Sequence, residues 1–200
     1  MSREELRLAG SGGQGVILAS VIIAESALQS GKYVSQSQSY GPEARGGSCK
    51  AEVLVSDNPI GFTKVQSPTF LMALTQKALD DYWSDHAKGC VVLVDSHLKV
   101  PEGMKDCKVI DVPILETAQK KIGKVQTANI VAIGCIASIL DIGDKKTVEK
   151  AVLMHVPKGT EALNMEALEE GFNLVSLGKS CKDSSSKDSS SKKANGDCKK

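Results

Sequence analysis

No aspartate or glutamate stands between Glu25 and Glu43. A nicotinamide-binding domain carries such an acid about 20 residues after its glycine loop, where it holds a ribose hydroxyl, so its absence argues against NAD. Closely spaced cysteine pairs are also missing. Cys49, Cys90, Cys107, Cys135, Cys181 and Cys198 include no C-x-x-C, and the three histidines are isolated. The ligand spacing of zinc and iron–sulfur sites is therefore absent, and no metal site is expected in this chain. Cys90 and Cys135 lie inside apolar runs and read as small core residues. Asp95, Ser96 and His97 end another apolar run, but G-x-S-x-G is lacking, which excludes a hydrolase nucleophile elbow. Asp95 reads instead as a turn residue that satisfies backbone groups.

No apolar stretch approaches the ~20 residues of a membrane helix. "MSREELRLAG" has no apolar leader core, so the expectation is a cytoplasmic protein that engages no membrane. The formal charge of +1 conceals an asymmetry: residues 179–200 hold seven lysines and three aspartates, leaving 18 basic against 21 acidic residues elsewhere. A mildly acidic body with a basic tail is no nucleic-acid footprint.

What is present is a chain of 200 residues, 41% apolar, enough for one domain. "ELRLAG" predicts a first strand, and residues 15–30 a helix stopped at Gly31. "YVSQSQSYG" and "CKAEVLVSD" follow as strands. "SPTFLMALTQKALDDYW" reads as one helix, with Ser67 as N-cap and Pro68 in the first turn. "GCVVLVDS" has the continuous apolar character of a strand covered on both faces, and "CKVIDVPI" predicts another. "TANIVAIGCIASIL", "KKTVEKAVLMHV" and "TEALNMEALEEGFNLV" predict three helices. The alternation implies a three-layer α/β fold with a mostly parallel sheet, Rossmann-like, with a glycine-rich first βα turn. Residues 1–178 form the expected domain. Residues 179–200, with no large apolar side chain, form an expected disordered tail.

Two loops carry candidate chemistry. Gly10, Gly12 and Gly15 fit G-x-G-x-x-G between a strand and a helix, and together with Gly13 and Gln14 they are candidates for cradling a phosphate at a helix N-terminus. The second loop, "SYGPEARGGSC", contributes Tyr40, Arg45 and Gly46, with Pro42, Glu43 and Gly47 alongside. It leaves the carboxyl end of the second strand, on the same sheet edge as the first loop. Arg45 suits a phosphate or carboxylate through its planar fork. The bland alternatives are a glycine turn that binds nothing, and an arginine that pairs with Glu43 or anchors a subunit interface.

"GSGGQGV", "SQSYGPEARGG", "AEVLVSDNPI" and "DVPI" ahead of "NIVAIG", in that order from about residue 6 to residue 175, resemble the gamma subunit of 2-oxoacid:ferredoxin oxidoreductases. "SYGPEARGG" is more similar to the 2-oxoglutarate type than to the pyruvate type, with branched-chain 2-oxoacid enzymes close by. The resemblance implies one subunit of an enzyme that oxidatively decarboxylates a 2-oxoacid, reduces ferredoxin and forms an acyl-coenzyme A. It implies alpha, beta and ferredoxin-like delta partners, with thiamine diphosphate, Mg and iron–sulfur clusters on those partners. It further implies no catalytic residue in this chain, which by itself is inactive, and coenzyme A at Gly10, Gly12, Gly13, Gln14, Gly15, Tyr40, Arg45 and Gly46. "IGKVQTAN" matches the family pattern only in part, and the tail has no counterpart. A free-standing nucleotide-binding module is the rival reading.

Overall fold

Leu6, Leu8 and Ala9 are wholly buried because the strand that holds them, β1 (Arg3–Ser11), lies inside the sheet. The computed structural model describes residues 3–40 and 48–182. The elements after β1 are α1 (Val16–Gln29), β2 (Tyr33–Tyr40), β3 (Ser48–Ser56), β4 (Phe70–Ala73), α2 (Gln76–Tyr82), β5 (Val91–Asp95), β6 (Lys108–Val112), α3 (Ile114–Lys120), α4 (Ala128–Ile139), α5 (Lys145–His155) and α6 (Glu161–Lys182). The sheet has six strands in the order β2-β3-β1-β4-β5-β6. β1, β4, β5 and β6 are parallel neighbours, whereas β3 runs antiparallel to both β1 and β2. The α/β class and mostly parallel sheet hold, with β3 inserted as the one reversed strand.

"SPTFLMALTQKALDDYW" does not form a single helix. Phe70–Ala73 is β4, every residue buried, and the helix starts only at Gln76. Four apolar residues in a row suit a strand covered on both faces as well as a helix turn, and the gap between β1 and β5 decides it. The helix cap is Thr75 rather than Ser67: its Oγ1 accepts from the Ala78 N–H at 3.2 Å. α3 is a second element that the pattern did not predict. The backbone of α6 continues to Lys182, into the lysine- and serine-rich segment; residues 183–200 of that segment lie outside the described residues.

Side-chain alternation gives the sheet two unequal faces. Phe70, Met72 and Leu93 join Leu6 and Leu8 against the side that packs α1 and α4. α4 is buried almost all round because α1, α3 and α6 enclose it. Its crossing with α6 is close: a Cβ on Gly171 would collide with the Val131 carbonyl oxygen, and one on Gly134 with that of Leu168. Leu71, Ala73, Val92 and Val94 face the other way, into a smaller cluster that includes Leu79 of α2. On β1, Arg7 is buried and ion-pairs with Glu52 and Asp85, with its guanidinium 5.4 Å from the Tyr82 ring centroid.

Candidate functional site

β1 ends and α1 begins through Gly12, Gly13, Gln14 and Gly15. Gly13 (φ 94°) and Gly15 (φ 71°) take left-handed conformations that L side chains rarely adopt. Gln14 is committed to the loop itself, with Oε1 accepting from the Ser11 N–H at 2.7 Å. Its oxygen would lie 2.6 Å from a Cβ on Gly10, so that glycine makes room for the Gln14 side chain. Gly15 is the N-cap of α1 and supplies no side-chain hydrogen bond, and the first turn of α1 carries no acid. The free N–H groups and positive dipole end of α1 are therefore available to an anion. Gly12 and Gly13 are exposed, and nothing lies within 4 Å of the position of a Gly13 Cβ.

Strand register brings the end of β2 and the start of β3, which flank residues 41–47, to the same edge. Gly10 and Tyr40 both pair with Cys49, one from each side of β3. The backbones of Gly10 and Tyr40 thus lie roughly 10 Å apart, two strand spacings. Arg45 and Gly46, with Pro42, Glu43 and Gly47, lie outside the described residues, and of Tyr40 only the backbone is described.

A groove of about 420 Å³ adjoins the glycine turn; Leu18, Lys124, Thr127, Asn129, Thr160 and Asn164 are among its lining residues. Asn129 links it to the turn, donating from Nδ2 to the Gly15 carbonyl oxygen at 3.4 Å. The groove is bordered by the start of α1, by Thr127 at the N-terminus of α4, and by Thr160, whose carbonyl accepts the first backbone bond of α6 from Asn164 at 3.0 Å. Three helix N-termini thus border the same space, and Lys124 adds a formal positive charge. Of these residues, Lys124, Thr127 and Asn129 come from "IGKVQTAN". No spacing rule marks that segment, because its contact with Gly15 spans 114 residues.

Asp95 is fully buried and accepts at both oxygens, from the Leu115 N–H at 2.8 Å and the His97 N–H at 3.1 Å. It anchors the start of α3 and the turn after β5, as its position in the sequence implied. His97 Nδ1 sits 2.8 Å from the same carboxylate. Burial pushes the Cys135 and Cys90 thiols up to about 12 and raises that of Cys49, the reverse of activation at these three. The fold does bring three scattered ligand-type residues together, since donor atoms of His86, Cys90 and Cys107 lie within 4.8 Å of one another. Among the described residues no helix is long and apolar enough to cross a membrane.

Comparison with known proteins fixes the family. The pyruvate ferredoxin/flavodoxin oxidoreductase profile matches residues 5–174. The chain belongs to this family. Among its relatives is the 2-oxoglutarate synthase subunit KorC of Methanocaldococcus jannaschii, 45% identical over 178 residues that cover 86% of this chain and 94% of the relative. The keto/oxoacid ferredoxin oxidoreductase gamma subunit of Geobacter sulfurreducens superposes with a TM-score of 0.80 at 42% identity, covering 88% of this chain and 98% of that one. The resemblance to oxidoreductase gamma subunits therefore holds in sequence and in fold. A 2-oxoglutarate:ferredoxin oxidoreductase from Magnetococcus marinus, solved with 2-oxoglutarate, coenzyme A and succinyl-CoA bound, shares the fold at a TM-score of 0.80 and 20% identity, over 88% of this chain and 32% of that chain.

Proposed function

We propose that this chain is the gamma subunit of a 2-oxoglutarate:ferredoxin oxidoreductase, and that its glycine turn and adjoining groove hold phosphate groups of coenzyme A. The observation that carries the ligand assignment is the N-terminus of α1, with no side-chain cap and no acid in its first turn, behind Gly13 and Gly15 and beside a groove that Lys124 lines. Each helix terminus contributes about 0.3–1 kcal/mol toward a bound anion. An exposed lysine adds about 1 kcal/mol or less. Arg45, on the neighbouring loop, supplies a second cation suited to bidentate phosphate contact. The choice of 2-oxoglutarate rests on the 45% identical relative, named a 2-oxoglutarate synthase subunit.

Electron transfer and carbon–carbon cleavage belong to partner chains in this reading. Among the described residues the one metal-ligand group contains two thiols, short of the four that an iron–sulfur cluster takes. The alpha and beta subunits would carry thiamine diphosphate and Mg, and the ferredoxin-like delta subunit the clusters that reduce ferredoxin. This chain's own part is to bind and orient the acyl acceptor and to close over the site. Co-expression with the three partner subunits tests the assignment. The complex should reduce ferredoxin with 2-oxoglutarate and coenzyme A together, faster than with pyruvate or 2-oxoisovalerate, while the isolated chain stays inactive. Preference for either of the other acids would move the enzyme to another branch of the family, and turnover by the isolated chain would end the proposal.

A further inference from the structure

Cys90 and Cys107 immediately precede Val91 and Lys108, which are partners in the parallel β5–β6 ladder, so the register sets the two thiols side by side. Their Sγ atoms are 2.9 Å apart. The backbone holds them there: Lys108 N–H donates to the Cys90 carbonyl at 2.9 Å, Cys90 N–H to that of Ala87 at 3.1 Å, and Cys107 N–H to that of Met104 at 3.2 Å. His86, on the α2–β5 connection, brings a ring nitrogen to within 4.8 Å of both sulfurs. Its Nδ1 contacts the Trp83 carbonyl oxygen, and because a carbonyl only accepts, Nδ1 carries the proton. The ring lone pair is therefore on Nε2. With Nε2 as the ligand atom, this becomes the outer-shell arrangement of a metal-binding histidine, in which the second ring nitrogen donates to a backbone carbonyl. Trp83 is itself fixed, its ring packed so closely on Gly103 that a Cβ there would lie 2.8 Å from the ring.

We propose that His86, Cys90 and Cys107 form a binding site for a zinc-class divalent ion, tetrahedral, with water as the fourth ligand. Two sulfurs and an imidazole are the donor set that thiophilic ions with tetrahedral preference select. Bond lengths of about 2.3 Å to sulfur and 2.0–2.1 Å to nitrogen give tetrahedral edges of roughly 3.4–3.8 Å. The sulfurs need to part by less than about 1 Å to meet them. Binding replaces two S–H bonds with two sulfur–metal bonds, and two protons leave to solvent. The site lies at the start of β5 and β6, the opposite sheet edge from the glycine turn, so it stands independently of the coenzyme A reading. It would join α2, β5 and β6 on the face with the smaller hydrophobic cluster.

Cobalt(II) titration of the reduced, metal-free, full-length chain tests the proposal. One equivalent should give thiolate-to-cobalt charge-transfer absorption and intense tetrahedral bands, and should quench Trp83, the protein's single tryptophan. One equivalent of zinc should displace the cobalt. Cys90→Ser and Cys107→Ser should each weaken binding at least about 100-fold, and His86→Ala about tenfold or more, because each removes a ligand. Circular dichroism of each metal-free variant separates ligand loss from misfolding, and Cys90→Ala serves if the serine variant does not fold. Cys181→Ser/Cys198→Ser should bind like the unaltered chain. The proposal is overturned if cobalt gives no charge-transfer band, if the band survives in Cys90→Ser/Cys107→Ser, or if air yields a Cys90–Cys107 disulfide in a chain that binds no cobalt when reduced.

Discussion

Replacing Gly15 with alanine tests the geometry of the glycine turn through stability alone. Two separable costs arise. Holding alanine at φ 71° costs about 1–2 kcal/mol. The new Cβ also meets Asn129 Nδ2 at 2.5 Å and Cγ at 2.8 Å, so the buried amide must withdraw by nearly 1 Å and give up its bond to the Gly15 carbonyl. That displacement adds roughly 1–2 kcal/mol, combining a lost hydrogen bond with local strain. The total, about 2–4 kcal/mol, lowers the thermal midpoint by roughly 5–15 °C for a domain of this size. Gly31 supplies the control, since it sits at φ 81° with nothing within 4 Å of the Cβ position. Gly31→Ala should therefore cost only the backbone part, about 1–2 kcal/mol. In a double-mutant cycle read by urea unfolding, Gly15→Ala/Asn129→Ala should be more stable than the sum of the single variants predicts, by 1 kcal/mol or so. Additivity within about 0.5 kcal/mol, or equal costs for Gly15→Ala and Gly31→Ala, would refute the contact between the turn and α4.

Two other contacts lend themselves to similar measurement. Gly171→Ala should cost several times as much stability as Gly159→Ala, because the first drives a Cβ into the Val131 carbonyl and the second, at φ 86°, meets nothing; comparing their urea midpoints checks this. Asp144 caps α5 by accepting from the Thr147 N–H at 2.8 Å, and hydrogen bonding from Thr147 holds its carboxyl below the usual range. A carboxyl with a depressed folded value contributes stability that is complete above its unfolded pKa of about 3.9 and is lost as pH falls through the folded value. The thermal midpoint of Asp144→Asn should accordingly fall below wild type at pH 6 and converge with it in strong acid.

Local patterns foretold most of the elements and the strand-to-helix glycine turn. β1, β5, β6, α1, α4 and α5 follow from apolar periodicity, and the glycine turn from its spacing. β4 escaped because "FLMAL" carries no period that separates a buried strand from a helix, and only its neighbours β1 and β5 resolve it. β3 was legible as a strand but its reversal was not, because alternation marks a strand and not its direction. The Asn129–Gly15 contact and the His86–Cys90–Cys107 group depend on packing between distant segments, through the α1–α4 contact in one case and the β5–β6 register in the other. Asp95 was legible because its partners lie close to the strand end that carries it.

Steady-state kinetics of the assembled oxidoreductase would show whether the glycine turn and its groove hold coenzyme A. Gly13→Ala puts a methyl group where a phosphate would approach the backbone, meeting no other atom of the chain but straining the turn at φ 94°, and Lys124→Ala removes a charge from the groove. Arg45→Ala removes the candidate cation on the neighbouring loop. With normal assembly verified, the Gly13 and Lys124 variants should each raise the KM for coenzyme A by roughly three- to tenfold, a loss of about 0.7–1.4 kcal/mol. Arg45→Ala should raise it tenfold or more. The KM for 2-oxoglutarate and the coenzyme A-independent decarboxylation should stay at wild-type values. An unchanged KM for coenzyme A in all three assembled variants would contradict the account and leave the glycines with the fold alone.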